Sequence, residues 1–224
     1  MTTTLLTYAG PADREALVTR TGGVPLAPAG TAWPMCADCE GPMQFLAQFL
    51  LDGPARPTAR ADGPDGPDGS AGLVMALFMC QTDPGMCEAW SPTDGANALR
   101  LYPAEGLTPI PAPAAESEEM LFLGEANAVD LAESPLDDYG SAREEWAGVD
   151  GRSLRHVLGQ LGGRPLWLQA DETPSCGSCD RHMDLVAQLE EGPNHATAMN
   201  FGGNGTAYAF VCGPCGEGAF LWQC

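Results

Sequence analysis

A shift of 140 residues lays Gly22–Gln48 over Gly162–Gln188 without a gap, and this self-match constrains the chain more than any other feature. Gly22, Gly23, Pro25 and Leu26 meet Gly162, Gly163, Pro165 and Leu166. Pro34, Cys36, Cys39 and Met43 meet Pro174, Cys176, Cys179 and Met183, and Ala47-Gln48 meets Ala187-Gln188. Most of the matched positions are Gly, Pro or Cys, whose backbone and ligand roles few other residues can fill. The pattern reads as a duplicated unit.

Each copy continues in the same way. A glycine-led apolar run follows, Gly72–Cys80 in one half and Gly205–Cys212 in the other, and both end in F-x-C. Both runs are short and bounded by turn residues, so they read as buried strands. A further cysteine comes after each, Cys87 and Cys215. A C-x2-C turn presents two thiolates, and the returning strand brings back a second pair, which is the ligand set of a structural zinc. The expected sites are Cys36, Cys39, Cys80 and Cys87, and then Cys176, Cys179, Cys212 and Cys215. Cys224 and His182 are alternatives for the fourth ligand of the second site. Two zinc ions per chain are expected, each contributing on the order of 10 kcal/mol to folding.

The expected fold class is α+β, mainly antiparallel β, in two pseudo-symmetric halves that each carry a zinc knuckle. With 28 Gly and 20 Pro, turns and short strands should outnumber long helices. Residues 1–102 form the first half, 103–150 an acidic, proline-rich connector, and 151–224 the second half. Asp13–Arg20 and Ser153–Leu161 read as short helices ahead of each G-G-x-P turn, and Ala98–Tyr102 as a strand. Residues 56–72 are a low-complexity loop, and Asn194–Tyr208 reads as a glycine-rich hairpin.

Charge narrows the partners. The chain has no lysine, 10 arginines and 30 acidic residues, for a formal net charge of −20. Such a surface repels phosphate backbones and anionic membranes, and attracts a basic protein. Met1–Gly10 has no secretory pattern, and the longest apolar run is too short to span a bilayer, so a cytoplasmic protein is expected. In a reducing compartment nine cysteines favour metal over disulfides.

No catalytic constellation is legible among His156, His182 and His195, and a binding protein is favoured over an enzyme. The alternatives are a small-ligand binder or enzyme using a cleft between the halves, with Gln48, Gln188, His195 and Asn204 as its polar residues, and a zinc-thiolate redox sensor.

The segments G-G-V-P-L-x-P-x-G-T-A-W-P-x-C (22–36), P-M-Q-F-L-A-Q (42–48), L-F-M-C-Q-x-D-P-G-M-C-E-x-W (77–90), G-A-N-A (95–98), M-N-F-G-G-N-G (199–205) and F-L-W-Q-C (220–224) resemble the bacterial YwqG-like family, a domain of unknown function. The cysteine frame is also similar to that of the eukaryotic programmed cell death protein 2 family, which has the same order in two halves and escorts a newly made basic ribosomal protein. The resemblance implies a mixed, mainly antiparallel β fold with pseudo-twofold halves, and a chaperone-like role. It implies no catalytic residues.

Overall fold

The computed structural model describes residues 2–52, 72–82, 86–113, 121–194 and 199–224. The low-complexity loop at 56–71, the acidic residues Glu116, Glu118 and Glu119, and His195 lie outside the described residues.

Among the described residues, ten strands build one antiparallel sheet. In chain order these are β1 (Thr3–Pro11), β2 (Arg20–Thr21), β4 (Gln44–Leu51), β5 (Leu73–Met79), β6 (Asn97–Pro103), β8 (Asn127–Ser134), β9 (Val157–Leu161), β10 (Asp184–Glu190), β11 (Thr206–Cys212) and β12 (Glu217–Gln223). Two short strands, β3 (Leu26–Pro28) and β7 (Leu107–Pro109), pair in a separate ribbon. The single α-helix among the described residues is α1 (Tyr139–Ala147), started by the Asp138 side chain, which accepts the Ser141 N–H. The apolar runs 72–80 and 205–212 contain buried strands, as expected, and the stretch around Ala98–Tyr102 is a strand with only Ala98 and Leu99 buried.

Two expected helices are absent. Asp13–Arg20 is a series of turns that ends in β2. Ser153–Leu161 makes one 3-10 turn at Leu154–His156 and then becomes β9. In both places backbone pairing with a neighbouring strand outweighs a weak helical pattern: Arg20 opposes Gln48, and Val157–Leu161 runs along β1. Residues 103–150, read as a connector, supply β7, β8 and α1.

The strand order is β12-β11-β10-β9-β1-β8-β2-β4-β5-β6. It reads alike from both ends: three strands carrying the later part of one half, a short strand, then a strand from the other part of the chain. β1 lies beside β9, and β8 lies beside β2, while β1 and β8 pair at the centre. Local geometry also recurs at the 140-residue offset. Gly22 and Gly162 have φ of 62° and 64°, and Gly23 and Gly163 have 78° and 75°. Register shifts fall at Phe45/Ala47 and at Leu185/Ala187.

The sheet curls until its two end strands meet. β12 lies against β6, where a Cβ on Gly218 would stand 2.3 Å from the Leu99 side chain. The Trp222 backbone N–H reaches the Trp90 carbonyl at 3.4 Å, and the two indoles meet edge to face. Inside this nearly closed sheet one core joins Leu6, Leu46, Phe49, Met75, Leu158, Val186, Phe201 and Phe220 from both ends of the order. No helix of the described residues is long and apolar enough to cross a membrane.

Gly22 shows why the G-G turn tolerates no substitute. Its φ is left-handed, and an added Cβ would stand 2.3 Å from the Glu125 carbonyl oxygen. Gly22→Ala should therefore lower unfolding stability by about 2–4 kcal/mol, read from denaturant midpoints, because both backbone strain and a backbone clash oppose it.

Candidate metal centres

Each knuckle is a tight loop closed by a single bridge. Met35 pairs with Pro42, and Ser175 with His182. The Cys36 N–H donates to the Gly41 carbonyl, and the Cys176 N–H to that of Arg181, both at 2.8 Å. The Glu40 N–H returns to the Cys36 carbonyl, and the Asp180 N–H to that of Cys176. Glu40 and Asp180 both sit at φ 58°, a left-handed conformation uncommon outside glycine. That turn residue was not foreseen, because glycine is its usual sequence signal and neither position has one.

The structure brings the eight predicted cysteines into two groups of four. In each group the sulfur atoms all lie within 4.8 Å of one another. Cys39 and Cys80 are 3.6 Å apart at sulfur, and Cys179 and Cys212 are 3.7 Å apart. Four thiolates placed tetrahedrally about 2.3 Å from a zinc ion stand about 3.8 Å from each other. The spacing fits metal coordination and is far beyond a sulfur–sulfur bond of about 2.05 Å. All nine cysteines are free. Both groups are positioned to hold a metal ion.

The groups differ in setting. Cys36, Cys80 and Cys87 are buried in the main core, beside Met79, Ala89 and Ala96. Burial pushes the Cys80 thiol up to about 11 and the Cys87 thiol higher still, and the neighbouring thiols add to the shift at Cys87. The loop bearing Cys87 is tied down by the Asn97 amide, which donates to the carbonyls of Ala89 and Ser91, and by the bond from Ala37 N–H to the Gly95 carbonyl. The second group sits in a smaller satellite core with Met183, Tyr208, Phe210 and Leu221, roofed by Trp167. There Cys215 is exposed, on a turn whose Gly216 N–H returns to the Cys212 carbonyl.

A carboxylate also stands at the rim of the second group. Glu217 accepts from the Ser178 hydroxyl and lies 3.2 Å from the Cys176 sulfur, and these two contacts hold its carboxyl below the usual range. The strand registers put buried Ala96 at the corresponding place beside the first group. The backbone N–H of Arg181 brings the Cys179 thiol down to about 7.

Metal should therefore leave the two groups at different rates. With a colorimetric chelator in excess, release is expected in two phases of equal amplitude. Alanine at Glu217 should change only one of them, the faster.

Cys224 takes no part in either group. Its sulfur stands 3.0 Å from where a Gly202 Cβ would be, and its carbonyl accepts from the Gln169 amide. His182 bridges Ser175 and lines a shallow hollow with Asp171 and Thr173. Gln48 and Gln188 are buried and engaged in holding loops. The Gln48 amide donates to the carbonyls of Ala16 and Val18, and the Gln188 oxygen accepts from Leu166 N–H and the Gln160 amide. Asn204 lines a cavity of about 260 Å³ with Gln188, and its N–H donates to Glu191.

Compared with known proteins, the chain matches no family model and no curated protein.

Proposed function

We propose that both cysteine groups hold structural zinc and that the protein is an acidic binding module for a basic protein client. The observation that carries the metal half of this reading is the pair of four-sulfur groups at tetrahedral spacing. Closed four-sulfur sites leave no position for water or substrate, so they support a fold and do not generate a nucleophile. Cys36, Cys39, Cys80 and Cys87 hold one ion, and Cys176, Cys179, Cys212 and Cys215 hold the other. Free thiols suit a reducing, cytoplasmic setting.

The two halves descend from a duplicated unit in this reading. The recurrent turn angles, knuckle bonds and register shifts at a fixed offset support it. They also agree with the resemblance to the YwqG-like family.

The client half rests on charge. A formal net charge of −20 favours a cationic partner, and eight thiolates with two zinc ions would make the protein more negative still. Capture of one or a few basic proteins from lysate at low salt, lost at about 0.5 M salt, is the expected result. Retention of no basic protein at low ionic strength would sink the client reading.

A further inference from the structure

The ribbon of β3 and β7 has a counterpart in the second half that lacks its partner. In the first half, Leu26, Ala27 and Pro28 run antiparallel to Pro109, Thr108 and Leu107. The Ile110 N–H donates to the Pro25 carbonyl. By the alternation of antiparallel pairing, Ala27 and Thr108 then form the next directly bonded pair, and Leu26 faces Pro109 where no N–H is needed. The covered edge is dry: Leu26 is 4% exposed and Ala27 0%.

At the 140-residue offset the corresponding segment is Leu166-Trp167-Leu168, which forms no strand. Its inward groups are nevertheless occupied. Leu166 N–H donates to Gln188, the Leu166 carbonyl accepts from the Tyr208 hydroxyl, and Leu168 N–H donates to that same hydroxyl. The Trp167 indole packs against Tyr208 at a tilt of 39° and stacks on Phe210. Yet no strand of the described residues pairs with it. Leu166 and Leu168 are 42% and 49% exposed, and with Leu154 and Val157 they line the cavity of about 260 Å³.

We propose that residues 165–168 are a docking edge for an extended segment of a partner protein, which adds as the strand that β7 supplies in the first half. The internal ribbon defines the occupant's chemistry: apolar side chains on either side of one residue that exchanges both backbone hydrogen bonds, as Leu107-Thr108-Pro109-Ile110 does. Main-chain pairing to Trp167 supplies the register, and the apolar wall of the cavity formed by Leu154, Val157, Leu166 and Leu168, which faces a polar side with Arg143, Arg155 and Glu190, takes the flanking side chains. This identifies where the client of the preceding section is held, and so rests on that reading.

The test titrates a fluorescein-labelled peptide of residues 105–112 (Glu-Gly-Leu-Thr-Pro-Ile-Pro-Ala) into the metal-loaded full chain and reads polarisation. Saturable binding with a dissociation constant of roughly 10–500 μM is expected. Two changes should each weaken it about tenfold or more: N-methylation of the peptide's threonine, which leaves the protein untouched, and the double variant Leu166→Asp/Leu168→Asp, which leaves the first-half ribbon intact. No saturation below about 1 mM, or equal binding by the methylated peptide, overturns the proposal. The double variant is also carried into the salt-dependent client capture. If it retains the basic client as well as wild type does, the edge is wrong and the client reading stands. If wild type captures no client while the peptide result holds, the client reading falls and the edge remains. A concentration-dependent dimer in sedimentation that the double variant dissolves would assign the edge to a second copy of the chain and overturn the partner assignment.

Discussion

Cys80→Ser is expected to abolish metal binding at one of the two cysteine groups and to unfold the protein at ambient temperature. Elemental analysis of wild type purified without added metal should give two zinc per chain, and the variant, if recovered, one or none. The size of the effect follows from two magnitudes. Structural zinc contributes on the order of 10 kcal/mol to folding, and a domain of this kind has a total stability of about 5–15 kcal/mol. The first group is the one to break, because Cys36, Cys80 and Cys87 lie inside the core shared by both ends of the sheet. The metal-free Cys80 and Cys87 thiols remain protonated at neutral pH, since burial first, and neighbouring thiols second, hold them above their usual range. Metal binding must displace those protons, so affinity should fall as pH drops. Cys212→Ser breaks the group in the satellite core and should cost less, leaving a folded protein with one zinc. Circular dichroism with metal content on the same samples separates these outcomes. Wild type that folds fully without metal would remove the structural-zinc reading and bring forward thiol redox chemistry.

Arg20→Met is the second large effect, with an expected loss of about 3–5 kcal/mol in chemical denaturation. Arg20 is fully buried in β2, and no carboxylate of the described residues bonds it. Its guanidinium donates to the carbonyls of Ala16, Gly22 and Val24 and to the Gln48 side-chain oxygen, and it lies 5.5 Å from the centroid of the Phe45 ring. Burial brings its pKa down to about 10, so it remains a cation at neutral pH. Methionine matches the bulk but leaves the Gly22 and Val24 carbonyls and the Gln48 side-chain oxygen without the Arg20 donor, while the Ala16 carbonyl keeps the Gln48 amide. Each stranded oxygen has a desolvation cost of about 1–3 kcal/mol less what water recovers. Gln160 occupies the corresponding place in β9 and does a smaller version of the same work, donating to the Arg164 carbonyl and to Gln188. Arg20→Gln should therefore cost about half as much as Arg20→Met. Equal losses would show that bulk, and not hydrogen bonding, is what the position requires.

The sequence by itself determined the two groups of four cysteines that are positioned to hold a metal ion. C-x2-C, an apolar strand and a second cysteine pair are local patterns, and a thiolate's chemistry does not depend on the fold around it, so all eight cysteines were legible. The buried strands β5 and β11 were legible for a similar reason: a short apolar run between turn residues has few other solutions. Only the tertiary structure decided which strands lie side by side. β1 beside β9 and β8 beside β2 are contacts across most of the chain, set by closing one core, and no nearby residue signals them. The same holds for Asp13–Arg20 and Ser153–Leu161, where pairing to a distant strand overrode local helical pattern. Arg20 read as one of ten arginines until the fold enclosed it. The sequence distinguished the two cysteine groups by spacing alone, six residues between Cys80 and Cys87 against two between Cys212 and Cys215; the structure separates them by setting, because one lies in the shared core and the other at a rim beside Glu217.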